Sequence, residues 1–567
     1  MKKILYSLLI IPLLASCTLD MDLSRSDTMT STQLKDDAGA AVYTTDGNYS
    51  LFKDQLEYNG SVYSGNTYIR HYFQMSEFRG DNICLSGRTE DPLYEATCYC
   101  DNQTLYNLSY FWYIAYKIIY GANSNIESIK EGSSATADQL LGENYCLRAI
   151  VHMHLNQLYG HPYSQGRDNL SVVLRNSTDC SVTKRATVGE VYDQIVADLK
   201  KAAALMQNGK PRGDAGYISY NTARGLLTRA YLHMGMNQEC VNLADEMLGS
   251  DPSSNLDTNL ADYYKNAATS KETLWCVSVN PVDFTDKRSS IASMYYSTSG
   301  TGGDGWGEIY YSDPLIELYE RYPQDKRFTS FFSLYGKIDG EKMIHWPIEN
   351  GTNDFRANLL KDVTFDTVAG KYYFTEGSTK YFVETEKVNG YNSYYIANFE
   401  GKAKTKVYLR DRASRATGVR QTYPMYFMSK FSWQDDEPMI ASPVMIRWAE
   451  VILNRAEANA KLGNNQTALD DVNVIRTRAG LTGEAQMTLA NISERGYADV
   501  LGVVLDERRL ELCFEGFRAQ DIYRNGLSLD RRYAGVQTWE VVAPTDSRIP
   551  FRIPYDEVSV SGIEQNP

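Results

Sequence analysis

From Ser442 to Gly480 apolar positions recur at helical spacing, and the rest of the chain is organised around this stretch. Met445, Trp448, Ala449, Ile452, Ala456 and Ala460 form one stripe, spaced as a helix with one buried face requires. Gly463-Asn464-Asn465 interrupts it, and a second stripe runs through Ala468, Val472, Ile475 and Ala479. Gly480 stands where a helix C-terminus favours a residue that tolerates left-handed backbone. The pattern predicts a helical hairpin of about 34 residues, the length of a tetratricopeptide unit.

The same patterning recurs upstream. Leu108 to Ile129 carries Trp112, Ala115, Ile119 and Ala122 on one face and predicts a long helix. Thr136-Ala137-Asp138-Gln139 has the form of a capping box and predicts a helix running to Tyr159. Thr187-Val188-Gly189-Glu190 is a second box, leading a stripe of Tyr192, Ile195, Val196, Leu199, Ala203 and Met206. A further hairpin is predicted over Asn221 to Leu248, broken at Gly235-Met236-Asn237-Gln238. These hairpins share a scheme: Arg229-Ala230 then Gly235, Arg455-Ala456 then Gly463, and more loosely Arg148-Ala149 then Gly160. One hairpin cannot bury its own apolar face, so the recurrence implies stacked pairs.

Two regions lack that rhythm. Tyr58 to Asn102 is rich in Tyr, Gly and Asn without periodicity and is predicted as loops, with a turn at Phe78-Arg79-Gly80-Asp81-Asn82. Residues 255–443 are predicted as a long irregular insertion with short strands near Lys371–Phe374, Tyr381–Glu384 and Lys406–Leu409. From Asp499 a last helical run precedes a Pro-punctuated tail. The expected fold is mainly α: a tetratricopeptide-like helical-repeat scaffold carrying an irregular insertion, an arrangement in which rigid helices position recognition loops.

Composition changes this picture in three ways. The formal charge is −14 with no long Lys/Arg run, which argues against a nucleic-acid partner. Tyrosine stands out, 43 against 18 Phe, and suits surfaces that are half apolar and half wet. At the N-terminus Lys2 and Lys3 precede an apolar run from Ile4 to Leu14, as in a secretory signal. Leu14-Ala15-Ser16-Cys17 resembles a bacterial lipobox, which would make residues 1–16 a signal peptide and Cys17 the lipidation site. Phe111 to Ala122 is too short to span a membrane and contains Lys117. The mature chain is expected to be tethered rather than embedded. Eight further Cys leave room for a disulfide whose pairing the spacing does not decide.

Catalytic apparatus is not evident. Glu507, Arg508, Arg509, Glu511, Glu515 and Arg518 read as ion pairs at i, i+3, Arg508 with Glu511 and Glu515 with Arg518. Adjacent turns of one helix cannot place two carboxylates across a sugar, as a glycosidase must. Gly300 to Gly305 matches GxGxxG but lacks the βαβ setting of a dinucleotide site. It reads better as a loop displaying Trp306. His152 and His154, two apart on a helix, cannot chelate one metal together. No cofactor or metal site is expected. Tyr295, Tyr296, Trp306, Tyr310 and Tyr311 are the binding candidates, because flat rings beside amides and hydroxyls suit a saccharide.

Four blocks then point one way: Pro443 to Val451 with Arg455-Ala456-Glu457-Ala458; Val474 to Leu481; Glu507 to Arg518 with Asp521 and Arg524; and Ile553-Pro554 with Gln565-Asn566-Pro567. In this order they resemble the SusD/RagB family of outer-membrane nutrient-binding lipoproteins. Arg79-Gly80-Asp81-Asn82, Leu147-Arg148-Ala149 and Leu158-Tyr159-Gly160 add support. Trp448 stands where Tyr is commoner, and the chain stops at Asn566-Pro567, where the family often continues by a Gly and an aromatic. The resemblance implies a non-catalytic protein on the outer face of the outer membrane, partnered by a SusC-like TonB-dependent transporter. Its cargo would be an oligosaccharide, or a peptide as in the RagB branch. It adds Tyr99 and Asn102, in the loops before the first long helix, to the candidate ligand contacts. The expected organisation is signal peptide 1–16, anchor and leader 17–45, N-terminal helical region 46–254, ligand-binding insertion 255–443 and signature region 444–567. A surface hydrolase and a purely structural lid are the rival readings from other classes.

Overall fold

The computed structural model describes residues 39–62, 65–85, 93–284, 287–298, 305–347, 358–413 and 424–566. Cys17, the leader up to residue 38 and Gly300 to Asp304 lie outside the described residues. Helices dominate. They are α1 (Ala40–Ser50), α2 (Tyr68–Phe78), α3 (Tyr106–Ser128), α4 (Ala135–Tyr159), α5 (Val188–Met206), α6 (Tyr220–Met234), α7 (Asn237–Leu248), α8 (Asp313–Glu320), α9 (Trp448–Lys461), α10 (Asn465–Arg478), α11 (Val500–Leu512) and α12 (Arg518–Arg524), with shorter turns between. Successive helices α4 to α7 pack side by side, and α7 packs on α9, so the hairpin at Ser442–Gly480 continues the N-terminal stack across the insertion. Among the described residues no helix is long and apolar enough to cross a membrane.

The repeated Arg-Ala pair acquires a reason. Ala149, Ala230 and Ala456 are fully buried, where a small side chain lets helices approach closely. The preceding arginines fork onto carboxylates of a neighbouring helix: Arg148 to Asp198 (2.8 and 2.6 Å), Arg229 to Glu450 (2.6 and 2.6 Å) and Arg455 to Asp471 (2.9 and 2.6 Å). Bidentate pairing of this kind fixes geometry as well as adding energy. The α9–α10 hairpin ends in a Schellman motif: Gly480 (φ +85°) donates to the Thr477 carbonyl and Leu481 to that of Arg476.

Several expectations need correction. The α4 helix is capped by Ser134, whose side chain accepts from Ala137, not by Thr136. The box at Thr187 and Glu190 is as expected. Met445 belongs to a strand, β12 below, and not to the helical stripe. Within Tyr58–Asn102 the segment Tyr68–Phe78 is the helix α2, with every residue buried. Its polar residues Arg70, His71, Gln74 and Glu77 are buried along with its apolar ones, so a stretch that reads as polar loop is a core helix. The body also begins by Ala40, inside what was expected to be leader.

The insertion holds the largest difference. Short strands β1 (Ile83–Leu85), β2 (Thr273–Cys276), β3 (Ile309–Tyr311) and β4 (Phe332–Leu334) precede six longer ones: β5 (Lys337–Pro347), β6 (Asn358–Asp366), β7 (Lys371–Glu376), β8 (Thr379–Val388), β9 (Tyr391–Phe399) and β10 (Lys402–Ala413). Each of the six pairs antiparallel with the next, and β10 closes on β5, so they form a barrel rather than irregular structure. Two-residue turns suited to the twist of the strands join β8 to β9 (Asn389 and Gly390, both φ > 0) and β9 to β10 (Glu400 and Gly401, likewise). The interior is a small separate core of Ile344, Trp346, Val363, Phe374, Val383, Ile396, Phe399 and Val407. Cross-strand ion pairs such as Lys371–Glu384 line its outside. Strands β11 (Tyr426–Met428) and β12 (Val444–Arg447) return to the body, pairing with β4 and β2.

The charged signature residues are buried, and they pair over long distances rather than along one helix. The helix breaks after Leu512, with Phe514 (φ +65°) and Gly516 (φ +82°) left-handed. Arg508 forks to Asp521, and Arg518 forks to Asp81 in the turn after α2 (2.7 and 3.1 Å). Arg509 also reaches Asp81 (3.2 Å) and takes Asn82 as a hydrogen-bond acceptor. Burial raises the Asp81 carboxyl, but Arg509 and Arg518 more than offset this and hold it at about 2. A carboxylate depressed in the folded state contributes stability above its unfolded value near 3.9, lost as pH falls through the folded value. For Asp81 that is about 2–3 kcal/mol, fading between pH 4 and 2. Denaturant unfolding at pH 7 and pH 3 should therefore show a smaller acid loss for Asp81→Asn than for the wild type. Equal losses would remove Asp81 as a source of the acid sensitivity.

Candidate functional site

An aromatic patch forms where the loop after Tyr295 meets the segment around Trp433. Trp306 is 41% exposed and Trp433 37% exposed, both high for indoles in a protein of this size. Trp306 is held by its backbone: its N–H donates to the Ser293 carbonyl (2.8 Å). Its neighbours are glycines for cause. A Cβ on Gly305 would lie 2.0 Å from the Tyr296 carbonyl oxygen, and Gly307 has φ +60°. Trp433 sits at φ +73°, a conformation that costs a bulky residue energy and marks places where structure imposes it. It precedes a tight turn, Gln434-Asp435-Asp436-Glu437, in which Asp435 and Asp436 are also left-handed and the Trp433 N–H donates to the Glu437 carbonyl (3.1 Å). Lys287 pins that turn through Glu437 (2.7 Å).

Tyr296 links the two halves. Half-buried, it stands edge-on to Trp433 with centroids 6.0 Å apart, and 5.9 Å from Phe427. Burial raises the pKa of its hydroxyl, which lies in hydrogen-bond reach of Trp433 and Ser333 and so stays a neutral donor and acceptor. Beneath, Phe427 packs with Tyr310 (5.6 Å) and Tyr335 (6.0 Å). The result is an exposed indole, Trp433, edge-on to a half-exposed phenol above an aromatic base, with a second exposed indole, Trp306, anchored close by through its backbone. Such a surface can stack on the apolar face of a sugar ring while hydroxyl and amide groups take its rim.

The other candidates are placed differently. Tyr295 is fully buried against Phe431 and Phe514. Tyr310 is buried with its hydroxyl on the Gly307 carbonyl, and Tyr311 with its hydroxyl on that of Phe331. Tyr99 is buried in a separate cluster with Ile522 and Tyr523, its hydroxyl donating to the Arg79 carbonyl. These four are core residues whose rings present no face to a ligand, which corrects the expectation. Asn102 is exposed, but its side-chain oxygen accepts from the Thr104 N–H and closes its own turn. Trp433 is the residue that sequence reasoning missed. A lone indole before Gln-Asp-Asp-Glu has no period to flag it; the only signal was a large apolar residue beside a polar turn.

The carboxylates and histidines that the sequence singles out are core groups. Glu507, Glu511 and Glu515 are buried among arginines, out of reach of a substrate. His152 accepts from the Arg175 N–H and contacts the Arg148 carbonyl, and His154 contacts the Tyr68 hydroxyl. Burial lowers both imidazoles, His152 to about 3, so they are neutral core groups. No group of three or more His, Cys, Asp or Glu among the described residues could hold a metal ion. All eight cysteines in the described residues are free thiols.

The model of the SusD family matches residues 271–559. The chain belongs to the SusD family. A second family model, described as starch-binding associating with outer membrane, matches residues 28–234. SusD-like protein P2 of Formosa agariphila is 24% identical over 436 residues, covering 74% of this chain and 71% of that protein. Among solved structures, a SusD superfamily protein of Bacteroides thetaiotaomicron superposes with TM-score 0.65 at 21% identity, covering 93% of this chain and 99% of that one. The surface glycan-binding protein A of Bacteroides uniformis does so with TM-score 0.62 at 16% identity, covering 93% and 98%. The buried Arg–Glu webs coincide with the blocks that carry the SusD resemblance. Those blocks therefore report the scaffold.

Proposed function

We propose that this SusD-family chain is a cell-surface lipoprotein that captures oligosaccharide on the Trp306–Tyr296–Trp433 patch and passes it to a SusC-like TonB-dependent transporter. The observation that carries this reading is the patch itself: an exposed indole, Trp433, held in left-handed backbone beside the neutral Tyr296 hydroxyl, with the exposed Trp306 anchored nearby. Cys17 would carry the lipid, and several acyl chains give durable anchoring at about 0.8 kcal/mol per buried CH₂. The helical hairpins would serve as tetratricopeptide-type pairs that hold the patch rigid. The protein acts by binding and has no chemical step. Modest affinity suffices, because tethering beside the transporter raises the effective ligand concentration.

Calorimetric titration of the soluble form beginning at Thr18, against a panel of neutral and acidic oligosaccharides and a mixed peptide pool, tests this. Saturable binding of one glycan class is expected, with a dissociation constant roughly in the µM–mM range. Binding of peptides alone would replace saccharide capture with RagB-like peptide capture. Silence towards both would leave the structural lid as the better description.

A further inference from the structure

The inserted barrel touches the helical body at its two ends and stands off between them. At one end Arg410 on β10 reaches Asp313 (2.5 Å) and Glu320 (3.0 Å), and Lys406 reaches Glu317 (2.8 Å), all on α8. At the other, the Tyr391 and Tyr322 hydroxyls meet at 3.0 Å. There the β8–β9 turn nests against the loop before α11, where a Cβ on Gly496 would fall 2.4 Å from the Asn389 side chain. Between these pins lies a cleft of about 810 Å³, within the roughly 300–1,000 Å³ typical of small-molecule sites.

We propose that this cleft between the barrel and the helical body is a second saccharide site, taking a neutral oligosaccharide. The proposal rests on the saccharide-binding reading above. The outer faces of β9 and β10 supply Tyr391, Ser393, Tyr395 and Tyr408, and the body supplies Tyr322 and Gln324. Rings, a hydroxyl and an amide around one hollow are the groups a sugar ring's apolar face and hydroxyl rim require. The rings are fixed: the Lys404 ammonium lies 4.4 Å from the Tyr395 centroid and the Arg321 guanidinium 5.1 Å from that of Tyr391. Charge argues for a neutral ligand: the lining's five cations, Arg321, Lys387, Lys404, Lys406 and Arg495, are nearly balanced by Glu317, Glu320, Glu386 and Glu484. Lys404 is paired to Glu386, Lys406 to Glu317 and Arg321 to Asp506 behind it.

The test uses the full soluble chain and neutral hexasaccharides of the gluco-, manno-, xylo- and galacto-series. Wild type, Trp306→Ala/Trp433→Ala, Tyr395→Ala and Ser393→Trp, the last filling the cleft, are titrated calorimetrically. Two binding events per chain are expected with one series. The double Trp variant should keep one of them, and Tyr395→Ala or Ser393→Trp should weaken that one at least tenfold. Silence of the double Trp variant alongside a binding wild type would overturn the cleft and leave the patch standing. Two events surviving both cleft variants would do the same. A single event lost only in the cleft variants would uphold the cleft and overturn the patch, and no binding by the wild type would overturn both.

Discussion

Replacing Glu511 by Ala should cost about 3–5 kcal/mol of unfolding free energy, the scale of breaking a buried ion pair from one side. Glu511 is fully buried and accepts from Arg447 (2.7 Å), Arg327 (3.3 Å) and Arg478. These belong to a larger web with Lys430, Arg476, Glu272, Asp325, Glu507 and Glu515. Burial opposes its ionisation, yet Arg478, Arg447 and Arg327 hold its carboxyl well below the usual range. Removing it leaves three guanidinium groups short of an anion in a site water does not reach. Folded domains are stable by about 5–15 kcal/mol, so the loss is a large share of the total. As a control, Arg167→Ala breaks an exposed pair with Asp193 and should change stability by less than about 1 kcal/mol. Urea unfolding monitored by circular dichroism compares the two. A Glu511→Ala loss below about 1 kcal/mol would mean the web adds nothing beyond packing.

The same web shows what could be read from the chain alone. Stripes such as Ala468, Val472 and Ile475 reported helices faithfully, because a half-buried helix has a period. The Arg-Ala repeats reported stacking, because each marks a close helix contact and a fork to a neighbouring helix. Glu507 to Arg518, whose spacing suggests local i, i+3 pairs, in fact bind partners as distant as Asp81 and Arg327. Local spacing carries no trace of a contact made across four hundred residues. The barrel was more accessible than it looked: Asn389-Gly390 and Glu400-Gly401 fall between strand-like runs, a two-residue hairpin signal. Its closure was not legible, because it depends on β10 meeting β5 rather than on any single turn.

The candidate site was half legible for a related reason. Trp306 stood out beside its glycines and is exposed. Tyr295, Tyr310 and Tyr311, close to it in sequence, point inward, because a Tyr in a short buried helix or strand satisfies its body by packing and its hydroxyl, where it can, on a carbonyl. Proximity along the chain cannot tell such a ring from one on the surface. Trp433 arrives from more than a hundred residues away, and only folding brings it to Tyr296.

Removing both indoles should weaken saccharide binding at the patch by about 2–4 kcal/mol, roughly 30- to 1,000-fold, since large aromatics at a site's centre carry most of its energy. The measurement is best made in the Tyr395→Ala background, where only the patch contributes. Trp433→Gly gives a sharper test than Trp433→Ala. Glycine adopts φ +73° without strain, so it recovers about 1–3 kcal/mol of backbone cost while losing the ring's contact with Tyr296. Its unfolding free energy should fall within about 1 kcal/mol of the wild type, yet its binding should fall at least tenfold. A residue kept for packing alone would show the reverse, with stability lost and binding intact. That outcome, or affinity within threefold of wild type in the double indole variant, would move the ligand away from this surface. The expected outcome makes Trp433 a position where the fold accepts strain in order to present a ring to ligand.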